Sequence, residues 1–199
     1  MTEHKYKDKV FKGASFPDAP IKNNVKISFT KEMINEYLPT IEKVEASKGI
    51  KLLCIIMASK EGFYKGTRSY RCNNPGNIGN TDSGNNKALK TLKDGIELQV
   101  SYLNRIINGQ SRIYPIGKKV FIKPFYSEEI AKNQKTYGMS PYLPGYEFFF
   151  GGELEGFVKI YSTGARAGNS YLNMIISFFA NHGITITEKT TLKEISQIL

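Results

Sequence analysis

The sequence predicts a mainly α (α+β) domain, and three observations carry that prediction. Apolar residues recur at helical spacing over 51–61, 96–107 and 171–183. The stretch 73–86, "NNPGNIGNTDSGNN", is almost entirely turn chemistry. Residues 110–150 are aromatic-rich and broken by Pro115, Pro124, Pro141 and Pro144, which leaves room only for short elements there.

In chain order, residues 1–28 carry Lys, Pro and Asn without a clear period. They read as an extended N-terminal arm, either a tail or a docking segment, ahead of a single domain over 29–199. From Ser28 to Gly49 the pattern is helical, interrupted at Pro39, with Gly49 placed as a C-terminal stop. Lys51 to Glu61 is the next helix. Leu53, Met57 and Glu61 fall at i, i+4 and i+8, so the carboxylate extends an apolar stripe at the helix end.

The Asn/Gly stretch 73–86 reads as loops or a small β-hairpin. Thr91 and Asp94 then form an N-cap pair. Ile96, Val100, Leu103 and Ile107 make an apolar stripe, and Gly109 ends that helix. Beyond it the reading gives a short strand near Val120, a helix near Glu128 to Lys135, and a long ordered loop "YGMSPYLPGYEFFF" in which Tyr142 and Tyr146 are packing residues. A short helix spans Leu154 to Tyr161 and leads into the turn "STGARAGNS". A buried helix with Tyr171, Ile175 and Phe178 ends at Gly183. Thr191 and Glu194 form a capping box for a last helix.

Composition narrows the function classes. The chain has 199 residues and a formal net charge of +10, which favours anionic polymers. Its cations are scattered rather than gathered on one helix face, against a nucleic-acid-binding surface. No window is apolar enough for a membrane span, and the polar N-terminus lacks the apolar core of a signal peptide. Synthesis in a cytoplasm without a signal peptide is the expectation. Cys54 and Cys72 make no disulfide framework, and His4 and His182 lie at opposite ends of the chain, so neither a metal site nor any cofactor is expected.

Chemistry concentrates in "MASKEGFYKGTRSYRCNNPGNIGN" and the following "KTLKDGIELQVSYL". Glu61 closes an apolar helix, where partial desolvation raises a carboxyl pKa and suits it to general-acid work. Over roughly Ile50 to Gly109, this order of Glu, Arg-x-x-Arg and Asn-Asn-Pro-Gly-Asn resembles the lysozyme-like, lytic-transglycosylase-like peptidoglycan hydrolase domains of bacteriophage. The stretch "KIYSTGARAGNSYLNMI" is similar, more loosely, to the Tyr-x-x-Gly turn before a late helix in lytic transglycosylases.

The resemblance implies a lysozyme-like helical domain with a small β-hairpin beside an active-site cleft. It implies cleavage of the β-1,4 bond between N-acetylmuramic acid and N-acetylglucosamine, with Glu61 as general acid. Asp82 is the candidate second carboxylate, and a turn-forming role suits it too. A two-carboxylate muramidase needs it; a one-acid transglycosylase, in which the substrate's own hydroxyl attacks, does not. Arg68 and Arg71 suit lactyl or peptide-stem carboxylates, or the holding of their loop. Asn73, Asn74 and Asn77 suit N-acetyl groups, or the building of turns. Tyr64, Tyr70 and Tyr161 suit stacking on sugars or bonding to Glu61, with Tyr161 favoured. The implied partner is the glycan strand of the bacterial wall, with other virion proteins reached through the N-terminal arm. The chain then acts as a virion-borne or released lysin. A catalytically silent wall-binding or virion structural module is the alternative reading.

Overall fold

The computed structural model describes residues 3–6, 9–12, 25–79, 87–122, 125–126, 142–143, 146–162 and 170–199. Helices dominate it, and β-structure is confined to small antiparallel pairs. Strands β1 (Glu3–Tyr6) and β2 (Lys9–Lys12) pair with each other.

The first helical stretch is a π turn, Met33–Tyr37, running directly into α1 (Leu38–Ile41). Pro39 therefore does not interrupt this helix. A proline ring collides with the carbonyl four residues back, and a widened turn just before it relieves that collision. Thr40 Oγ1 donates to the Glu36 carbonyl at 2.6 Å in the same turn.

Helix α2 (Lys48–Lys60) begins three residues earlier than the apolar period suggests, because Ser47 caps it by accepting from the Ile50 N–H at 3.3 Å. Gly49 is thus in the first turn of α2 and is not a stop. A Cβ there would lie 1.9 Å from the Ile195 carbonyl oxygen, so the glycine permits the C-terminal helix to touch the α2 backbone. Ile50 and every residue from Leu52 to Ala58 are buried. A helix apolar on all sides belongs at the centre, and α2 is packed by the π turn and by the helices named below.

After the short α3 (Arg68–Arg71), α4 (Leu92–Ile107) starts at the expected N-cap pair, Thr91 and Asp94, which forms a reciprocal capping box. Its buried stripe is Ile96, Gln99, Val100, Leu103 and Ile106. Strand β3 (Lys118–Ile122) pairs with the strand Tyr146–Phe150, and β4 (Phe125–Tyr126) pairs with β5 (Tyr142–Leu143). The expected aromatic loop is therefore β-structure over 142–143 and over its last five residues, here β6. Its alternation explains this: Phe148 and Phe150 turn inward while Phe149 stays 63% exposed.

Helices α5 (Leu154–Tyr161), α6 (Ser170–Asn181) and α7 (Leu192–Ser196) complete the domain, α7 with its Thr191–Glu194 capping box. Helix α2 packs against α4, α6 and α7. The helix expected near Glu128 to Lys135 lies outside the described residues, as does the "STGARAGNS" turn beyond Ser162. Among the described residues no helix is long and apolar enough to cross a membrane.

Candidate active site

Glu61 is the C-cap of α2, and its backbone N–H still bonds to the Met57 carbonyl at 2.9 Å. Met57 and Leu53, one and two turns below it, are fully buried. The stripe thus delivers the carboxylate to the point where the apolar core meets the surface. Burial raises the Glu61 pKa; the Asn77 amide, the Lys60 ammonium and the Tyr161 hydroxyl each favour the ionised form and moderate that rise.

The chain turns sharply after Glu61 with Gly62 at φ 75°, a left-handed conformation that glycine adopts without strain. Phe63 then plugs back into the core, and its carbonyl accepts from Thr30 Oγ1 at 2.9 Å. Thr67 caps α3 by accepting from the Tyr70 N–H. Short local bonds of this kind hold the Arg-containing turn beside the end of α2.

The Asn-Asn-Pro-Gly-Asn loop divides its labour. Asn74 is fully buried: its amide donates to the Ile78 carbonyl at 2.9 Å and the Lys87 carbonyl at 3.0 Å, and its Oδ1 accepts from the Ile78 N–H at 3.0 Å. Asn73, at φ 48°, donates to the Leu89 carbonyl at 3.2 Å and the Lys90 carbonyl at 3.3 Å. Both are loop-builders. Asn77, at φ 49°, differs, because its Nδ2 donates to Glu61 Oε2 at 3.1 Å. Asparagine tolerates the left-handed region better than other side-chain-bearing residues, so the loop keeps its curvature while presenting an amide to Glu61.

Tyr161, at the end of α5, donates its hydroxyl to the Gly76 carbonyl at 2.7 Å. The same hydroxyl lies by the Glu61 carboxyl. A phenol has one proton to give: Gly76 takes it when Glu61 is protonated, and an ionised Glu61 competes for it. Behind Tyr161 runs an aromatic chain. Phe157 stacks on it at 5.4 Å, Tyr171 meets it edge-on at 5.9 Å, and Tyr114 packs against Phe157 at 5.5 Å. The charge of Glu61 acts on Tyr114, Tyr161 and Tyr171 and helps hold each phenol in its neutral form. Tyr171 is buried, and its hydroxyl has no hydrogen-bond partner among the described residues.

The remaining expected site residues are dispersed. Tyr70 donates to both oxygens of Glu36, at 2.9 and 3.1 Å, and its ring packs on Phe63. Arg71 is exposed and donates to the Gly66 carbonyl, closing its own loop. Arg68 is half-buried at the start of α3, and Tyr64 is 47% exposed. Asp82 lies outside the described residues.

Sequence reading had Tyr171 only as a core residue, and it passed over Tyr114 and Gln99. The signal for Gln99 was present: a polar residue one helical turn after Ile96 and adjoining Val100 in an otherwise apolar stripe. Among the described residues no three His, Cys, Asp or Glu side chains gather as metal ligands. Comparison of the chain with protein-family models, curated proteins and solved structures finds no match.

Proposed function

We propose that this protein cleaves the β-1,4 glycosidic bonds of peptidoglycan, with Glu61 as the general acid on a lysozyme-like helical scaffold. One observation carries the reading. A carboxyl at the end of a buried helix has its pKa raised by burial, and it accepts a hydrogen bond from an amide of the Asn-rich loop. A glycosidase acid needs both properties: a raised pKa, and a fixed direction from which to protonate the leaving oxygen.

The one-acid, transglycosylase route is the preferred form. Glu61 gives its proton to the departing sugar oxygen and then accepts one from the substrate hydroxyl that attacks the anomeric carbon. The polar groups that act on Glu61 among the described residues are an ammonium, an amide and tyrosine hydroxyls. This set suits one carboxyl that serves as acid and then base. The wall's carboxylate-bearing polymers match the chain's net charge of +10. Carriage within a phage virion, or release as a lysin, is part of the same reading.

Digestion of purified peptidoglycan with analysis of the product ends by mass spectrometry tests it. Anhydro-muramic ends are expected; reducing muramic ends would indicate a muramidase and reducing glucosamine ends a glucosaminidase. Folded Glu61→Gln should lose a hundredfold or more of the rate, on the order expected for loss of a general acid. Equal rates for variant and wild type would end the assignment.

A further inference from the structure

We infer that Gln99 is a positioning residue for Glu61: it forms the buried floor on which Gly76 rests, and so sets where the neighbouring Asn77 amide meets the carboxyl. Its kinetic consequence rests on the function proposed above; its structural consequence does not.

Gln99 sits on α4 with no exposed surface, within an apolar stripe. A buried amide is costly unless its groups are paired. Here Oε1 accepts from the Tyr37 hydroxyl at 2.8 Å and Nε2 donates to the Cys54 carbonyl at 3.4 Å. The Cys54 carbonyl can only accept, and this fixes which way the amide faces. Three separate elements, the π turn, α2 and α4, thus hold one side chain in one orientation.

Gly76 lies directly on that side chain. A Cβ at Gly76 would be 2.9 Å from Gln99 Cγ, closer than real Cβ atoms approach, and 3.0 Å from Nε2, a tight contact. The Gly76 carbonyl also takes the Tyr161 hydroxyl at 2.7 Å. Gly76 is therefore held both by its contact with Gln99 and by the Tyr161 bond. The next residue, Asn77, is fixed by its N–H to the Asn74 carbonyl at 3.0 Å and reaches Glu61 at 3.1 Å. Asn77 follows Gly76 directly in the chain, so raising Gly76 draws the Asn77 amide off the carboxylate.

A double-mutant cycle between Gly76 and Gln99 tests this, read by the Glu61 carboxyl titration in carbon-13 NMR and by the rate of glycan cleavage. The other ionisable groups facing Glu61 are Lys60 on α2, Tyr161 on α5, Tyr171 on α6, and Tyr114 ahead of β3. None of them is altered in the cycle. Gly76→Ala should push the loop off its floor, weaken the Asn77 bond and raise the Glu61 pKa. It should also cut kcat about ten- to a hundredfold with a smaller change in KM, as sub-ångström to ångström misplacement does. Adding Gln99→Ala should make room for the new methyl and return both readouts part of the way to wild type.

A Glu61 titration unchanged in folded Gly76→Ala would overturn the inference. So would strictly additive effects in the double variant. Should Gln99→Ala fail to fold, the single Gly76→Ala titration still decides. A wild type that cleaves no glycan would instead overturn the proposed function, while the NMR cycle would still judge Gln99.

Discussion

Asn77 Nδ2 donates to Glu61 Oε2 across 3.1 Å, joining the end of the central helix to a loop sixteen residues further along the chain. The bond favours the ionised carboxylate against the effect of burial, so the acid's working pKa is a balance between the two. Asn77→Gly separates the amide from the backbone, since glycine keeps the left-handed conformation at φ 49° without strain. Glu61 should then titrate at higher pH, and the alkaline limb of the lysis profile should move up with it. A limb that stays in place would show that the amide does not tune the acid.

Glu61 should also cost the protein stability. A carboxyl whose folded pKa is raised binds more protons folded than unfolded, so stability falls as pH climbs from the unfolded value, about 4.3, through the folded one. Below that window the protonated group carries no such penalty. Glu61→Gln should therefore melt higher than wild type at neutral pH, with the difference shrinking toward zero near pH 4. Melting curves across this range check it, and a glutamine variant that is less stable at neutral pH would contradict it.

The Tyr171 hydroxyl, unpaired among the described residues, is a second local cost. Removing a buried orphan group stabilises, by about 1 kcal/mol for a hydroxyl. Tyr171→Phe should raise Tm modestly while preserving the ring contact with Tyr161 at 5.9 Å. Since Glu61 and this phenol interact electrostatically, the same variant should slow glycan cleavage. Greater stability with undiminished cleavage would limit Tyr171 to packing.

Asp82 separates the two glycosidase routes. On the one-acid reading, Asp82→Ala should leave substantial lysis, because its turn-forming role is replaceable. A loss as severe as that of Glu61→Gln, measured on the same wall substrate, would make it the second carboxylate and the enzyme a muramidase.

The sequence alone determined the helical character of this protein, the N-cap at Thr91, the capping box at Thr191, and the placing of Glu61 at the end of a buried stripe. These are local or periodic properties, set by residues within a turn or two of one another. Tertiary structure decided what lies beyond that range. Pro39 continues a helix because a π turn precedes it, and Gly49 opens α2 because Ile195 presses on it. Asn73, Asn74 and Asn77 are alike as letters, yet Asn74 is sealed inside its loop and Asn77 reaches the acid. Tyr70 turns to Glu36, whereas Tyr161, eighty-five residues from Gly76, comes down on the loop that carries Asn77. Which polar group meets which depends on how α2, α4 and α5 pack, and hydrophobic periodicity fixes the buried face of each helix without fixing its neighbours.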